Sequence, residues 1–289
     1  MIVAAAMTMG LFALSVPSEA DVTAVQGSAY AYQTNVSLFG GPSVIRGFNQ
    51  ITCTAPNVPP NCGPTTAESP SVTLPPTGSG TPITAEKPEG ATAQYGPAKI
   101  FSGQYPANDT NAPSPPSGPL SVSTQGTTGP GGSVTSTAMV SQGQQPSPGL
   151  PTQPRGVGPG PVIADAVTAT CTATEVNSAT GEKSITGSTS VVNGILETKY
   201  DAMTQLPIQT EAIPANPAPN TTSGGTIDHV GDSYSVTYNE QITNPNGSLT
   251  VNGIHMRLLG PTAVGDLIIG SVTCGITTVG VPTSTTAGP

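Results

Sequence analysis

The sequence predicts an all-β protein, a single β-sandwich of Greek-key or jelly-roll type with long Pro/Gly-rich loops. Three observations predict it. Apolar and polar residues alternate with period two in segments scattered from Ser28 to Val279. No stretch after Ala20 carries a capped helical repeat. The alternating segments are short, and turn residues separate them at regular intervals, as in antiparallel sheets stacked face to face.

Composition agrees. The 289 residues include 35 Gly and 32 Pro, only 8% charged residues and 4% aromatics, with no Trp. So few charges leave Ser, Thr, Asn and Gln to cover the surface. Seven Lys plus Arg against sixteen Asp plus Glu, a net charge of −9, provide no basic patch for phosphates, which argues against nucleic-acid binding.

Residues 1–20 read as a secretory signal peptide: the apolar run MIVAAAMTMGLFALSV, then Pro17, then small residues at Ser18 and Ala20 before a cut ahead of Asp21. The basic flank of such peptides is missing, and the run is shorter than a membrane span needs. No transmembrane span is expected in the mature chain. Export implies an oxidising compartment, so Cys53, Cys62, Cys171 and Cys274 read as disulfide partners, with three pairings open. A zinc site lacks a C-x-x-C pair, and His229 and His255 lack ligand spacing.

Along the mature chain, SAYAYQTNVSLF places Tyr30, Tyr32, Thr34, Val36 and Leu38 on one strand face. GPLSVSTQG and GSVTSTAMVS are strands joined by the turn Gly126–Gly132, and ATAQYGPAKIFSG is another. VIADAVTATCTATE and KSITGSTSVVNGILETKYD flank the turn Asn177–Gly181. DSYSVTYNEQIT puts Tyr234, Val236, Tyr238, Glu240 and Ile242 on one face, and Asn244-Pro245-Asn246-Gly247 turns it into SLTVNGIHMRLL. There Val251, His255 and Leu259 share a face. AVGDLIIGSVTC and GITTVGV close the domain, for about nine to eleven strands.

The middle differs, because residues 56–161 hold 22 of the 32 prolines, and Pro cannot donate to a sheet ladder. Residues 21–281 are therefore read as one sandwich domain with irregular insertions at about 55–90 and 141–161, followed by a disordered tail at 282–289. The competing division is two domains, 21–145 and 162–281, but neither half has obvious apolar content for its own core.

GSAYAYQTNVSL, SGPLSVSTQGTTGPGGSVTSTA, ADAVTATCTAT and VNGIHMRLLGPTAVGDLIIGSVTCG together resemble the secreted actinobacterial proteins of the choice-of-anchor P family. The resemblance implies a β-rich domain at or beyond the cell surface and no established activity. Cys171 and Cys274 lie in the family-like segments, which favours their pairing. The last residues, VPTSTTAGP, depart from an anchored pattern of apolar span and basic tail.

Signals for chemistry are sparse. Leu74-Pro75-Pro76-Thr77-Gly78 spells a sortase pentapeptide, but no apolar span follows it. No G-x-S-x-G marks a hydrolase nucleophile, and His255 reads as a hydrogen-bonded strand residue. The carboxylates Glu175, Glu197, Asp201, Glu240 and Asp266 are candidates for a glycosidase pair, if two of them face each other. Asp228-His229-Val230-Gly231-Asp232 lacks calcium-loop spacing. No metal or cofactor is expected. The expectation is a secreted or cell-surface structural or interaction module without catalysis, contacting cell-envelope polymers or other surface proteins. The alternative is a carbohydrate-binding module, which needs two coplanar exposed tyrosines. Tyr234, Tyr238 and Glu240 are the candidate ligand contacts.

Overall fold

A computed structural model describes residues 21–38, 44–47, 69–87, 120–141, 162–200, 207–227, 231–261 and 263–279. They form fifteen strands and no helix: β1 (Asp21–Leu38), β2 (Val44–Gly47), β3 (Ser71–Thr73), β4 (Gly78–Lys87), β5 (Leu120–Thr127), β6 (Ser133–Ser141), β7 (Val162–Ile163), β8 (Ala166–Asn177), β9 (Glu182–Val192), β10 (Ile195–Tyr200), β11 (Pro207–Ala212), β12 (Thr221–Ile227), β13 (Asp232–Thr243), β14 (Leu249–Leu259) and β15 (Ala263–Val279). The expected residues 1–20, Cys53, Cys62, the strand at 91–103, His229, Asp201 and the tail at 282–289 lie outside the described residues. Among the described residues, no helix is long and apolar enough to cross a membrane.

The architecture is all-β, with sheets that do not close into a barrel, consistent with a sandwich. Sheet I runs β12-β13-β14-β15-β1-β2, with β3 on the same edge of β1; sheet II runs β4-β5-β6-β8-β9; the small sheet III runs β11-β10-β7. The first and last strands pair along nearly their whole length, Asp21 opposite Val279 and Leu38 opposite Ala263.

The core lies between sheets I and II. On β8, Val167, Ala169, Cys171 and Ala173 are buried while the intervening threonines point away, a strict alternation that leaves one apolar face. Most of these side chains are small, so the sheets approach closely. A Cβ on Gly27 of β1 would fall 2.2 Å from Thr124 Oγ1, and one on Gly253 of β14 would meet Val167 Cγ1 at 2.8 Å. This close fit explains how a chain with 35% hydrophobic residues fills a core. Two hydroxyls between the sheets satisfy each other: Thr124 Oγ1 and Ser136 Oγ lie 2.9 Å apart, and Ser136 donates to Thr273 O at 2.9 Å.

A disulfide joins the sheets. Cys171 on β8 and Cys274 on β15 are both fully buried, with S–S 1.95 Å and Cα–Cα 5.6 Å. The Cys171–Cys274 bond that the family resemblance favours is present.

One expectation is corrected here. Residues 55–90 are not wholly irregular, because β3 and β4 lie within them. Pro82 is tolerated because β4 is an edge strand whose ladder skips from Ser79 to Ile83. The pentapeptide Leu74–Gly78 is the turn between these strands: Leu74 is buried, and Gly78, at φ 76°, donates its N–H to Pro75 O at 2.9 Å. The segment from Glu182 to Tyr200 forms two strands, parted at Asn193 (φ 49°). The turns at 128–132, 178–181 and 244–248 stand where the sequence placed them.

Candidate functional site

One crease across sheet I decides which side chains face outward. The ladders pair Tyr238 with Ile254 and Glu240 with Asn252, leaving Asn239 and Gly253 between the pairs. They pair Asn252 with Ser271 and Ile254 with Ile269, leaving Gly270. They pair Tyr30 with Ser271 and Tyr32 with Ile269, leaving Ala31. Four adjacent strands thus each leave one residue unpaired in the same row with no change of register, and Asn239 at φ 49° and Gly270 at φ 65° kink the backbone there. Because the side-chain period is two, a kink that turns two successive side chains inward exchanges the faces beyond it.

The exchange is visible on each strand. On β13, Tyr234, Val236 and Tyr238 are buried inward, but beyond Asn239 it is Gln241 that reaches sheet II, donating to Gly187 O at 2.8 Å, while Ile242 is 44% exposed. On β14, inward Val251 is followed by Ile254, Met256 and Leu258, which sends His255, Arg257 and Leu259 outward. On β1, inward Ala29 is followed by Ala31 and Tyr32, so Tyr30 and Tyr32 occupy opposite faces.

The expectations built on unbroken alternation are corrected accordingly. Glu240 does not share a face with Tyr234 and Tyr238, and His255 does not share one with Val251. Tyr234 and Tyr238 are 3% and 2% exposed and fill the interior, with Tyr234 donating its hydroxyl to Glu197 O of β10. They form no sugar-stacking strip. Burial first, then the nearby carboxylates Glu197 and Glu211, push Tyr234 far above the ordinary phenol value; burial and Glu211 do the same to Tyr238.

Outward, a connected polar array follows the crease. Glu240, Asn252, Ser271 and Tyr30 stand side by side on β13, β14, β15 and β1. Ser271 Oγ donates to Asn252 Oδ1 at 2.6 Å, Asn252 Nδ2 donates to Glu240 Oε2 at 2.7 Å, and Tyr30 hydrogen-bonds with Ser271. From Glu240 the network turns along β14: His255 Nδ1 lies 2.6 Å from Glu240 Oε2, and Arg257 Nη2 donates to Glu240 Oε1 at 3.0 Å. His255 Nε2 lies 2.9 Å from Asp266 Oδ1 on β15. The imidazole therefore stands between two carboxylates, and the imidazolium form donates to both.

Burial works against the Glu240 charge, but the Asn252 amide, His255 and Arg257 outweigh it and hold the carboxyl below the ordinary glutamate value. Glu240, Asn252, Ser271 and His255 are buried, whereas the side chains of Arg257 and Asp266 are 45% and 47% exposed, with Arg257 Nε 3.7 Å from Asp266 Oδ1. The buried members brace the exposed pair.

The remaining carboxylates are dispersed. Glu175 lies at the end of β8 and accepts the Gly131 N–H at 2.8 Å, and Glu197 lies on β10 in sheet III. Of the glycosidase candidates among the described residues, Glu240 and Asp266 are the two brought together. Arg257, Asn252 and Ser271 escaped the sequence reading, and Tyr30 was paired with Tyr32 on the wrong face; the signal that finds them is the row of Asn239, Gly253 and Gly270, turn-prone residues inside otherwise regular strands. Among the described residues, no group of His, Cys, Asp or Glu side chains is arranged to hold a metal ion. No family model, curated protein or solved structure matches the chain.

Proposed function

We propose that the chain is an extracellular, non-catalytic interaction module, of the choice-of-anchor P kind, which contacts its partner through the outer face of sheet I. The observation that carries this reading is the braced array itself. Glu240 and His255 are spent on each other and on Asn252, Arg257 and Asp266, so they hold side chains still instead of transferring protons. A glycosidase pair needs open space between its carboxylates for water or a glycosyl carbon. Here the His255 ring fills the gap between Glu240 and Asp266. The interior Cys171–Cys274 bond fits an oxidising compartment, in keeping with the leader-like residues 1–20.

The test is retention on insoluble cell-envelope material. Residues 21–289 should be retained, the double variant Arg257→Ala/Asp266→Ala should be retained at least tenfold less, and envelope polymers should pass through chemically unchanged. Equal retention of the double variant, or release of reducing sugar ends, overturns the reading.

A further inference from the structure

We infer that the ligand of this face is a neutral saccharide chain, bound where the exposed Arg257–Asp266 pair presents a donor and an acceptor side by side. This rests on the interaction-module reading and names its partner. The carboxylates of Glu240 and Asp266 enclose the His255 ring and face the single guanidinium of Arg257, so the face offers no net positive charge to a phosphorylated or acidic polymer.

What it offers is planar hydrogen-bonding capacity. Arg257 is held through Nη2 by Glu240, and Asp266 through Oδ1 by His255, so the outer edges of guanidinium and carboxylate are fixed in direction while about half exposed. Two vicinal hydroxyls suit that edge: one accepts from the guanidinium while its neighbour donates to Asp266 Oδ2. Pre-ordering by the buried residues spares the entropy that free surface side chains lose on binding.

The face continues along the strands. Half-buried Ile268 and Gln33 form the next row, cross-strand neighbours of His255 and of each other, and half-buried Tyr30 follows in the row of Ser271. From Asp266 to Tyr30 the strip runs on the order of 15 Å at the rise of a β-strand, long enough for several sugar rings. Ile268 and the Tyr30 ring supply apolar surface for the C–H faces of those rings.

The experiment is calorimetric titration of residues 21–289 with soluble cell-envelope polysaccharide in three forms: intact, protease-treated and periodate-oxidised. Periodate cleaves the carbon–carbon bond between vicinal hydroxyls and leaves dialdehydes. Intact and protease-treated material should bind alike, and oxidised material should bind at least tenfold more weakly. Arg257→Lys, which keeps the charge but loses the planar fork, and Asp266→Asn should each weaken binding about tenfold, and Tyr30→Leu severalfold. Thr170→Ala, on the opposite face of sheet II, should bind as wild type, with thermal melts confirming that all four variants fold. Binding that survives periodate but not protease overturns the saccharide while leaving the interaction module standing. Heat release unaffected by Arg257→Lys and Asp266→Asn overturns the location.

Discussion

Tyr238 and Glu240, two residues apart on one strand, point to opposite faces of the same sheet. Asn239 between them adopts φ 49° and lies in the interior, where Nδ2 donates to Pro217 O at 2.9 Å and Oδ1 accepts from Thr189 Oγ1 and Gln241 Nε2. On β13, the inward tyrosines and outward Glu240 are set apart at this residue.

Replacing Asn239 separates its conformational role from its hydrogen bonds. Asn239→Ala suffers both losses and should destabilise by about 2–3 kcal/mol. Asn239→Gly adopts positive φ without strain and should cost about 1 kcal/mol less than Ala. Denaturant titration of both variants checks this; Gly as damaging as Ala would mean that backbone strain contributes nothing.

The disulfide closes a sequence separation of 103 residues between the two main sheets. Cys171→Ala/Cys274→Ala should lower stability by about 3–5 kcal/mol. Since both cysteines are wholly buried, reductant alone should leave the bond intact, and reductant with denaturant should break it. Thiol counting by mass shift after alkylation reads the outcome.

Gly27 marks the closest approach of sheets I and II. In Gly27→Ala the new methyl meets Thr124 Oγ1 at 2.2 Å, Val134 Cγ2 at 2.9 Å and Ser136 Oγ at 3.1 Å. Parting the buried hydroxyl pair as well as the sheets should cost about 1–3 kcal/mol. A neutral melting temperature would place sheet II farther from β1 than described.

Glu240 gives the acid side of the stability curve a defined sign. Its folded carboxyl titrates below the ordinary value of 4.5. As pH falls below 4.5, the unfolded chain takes up the proton first, so stability drops until the folded carboxyl is protonated too. The contribution is present in full above that ordinary value. Urea melts from neutral pH to about pH 2.5 should show a steeper acid loss for wild type than for Glu240→Gln, which has no carboxyl to titrate there. Parallel curves would contradict the network around Glu240.

Much of the fold was legible because β8, β5 and β6 alternate without interruption and the turns at Gly126–Gly132, Asn177–Gly181 and Asn244–Gly247 carry Gly and Asn where the chain reverses. β11 and β12 were not, since PIQTEA and TTSGGTI lack an apolar period and pair mainly through backbone. The site was misread for one reason: period two was carried through Ala31, Asn239 and Gly253, at each of which the faces exchange. Sequence shows a glycine inside a strand, but only the ladder shows that four unpaired residues align and turn one face as a unit.

The most direct measurement of the functional claim is a map of backbone amide shifts on adding soluble envelope polymer to isotopically labelled protein. Perturbations should gather at Tyr30, Gln33, Arg257, Asp266 and Ile268, with the outward threonines of β8 unmoved. Shifts concentrated on sheet II, or spread evenly over both layers, would contradict the assignment of the outer face of sheet I as the contact surface.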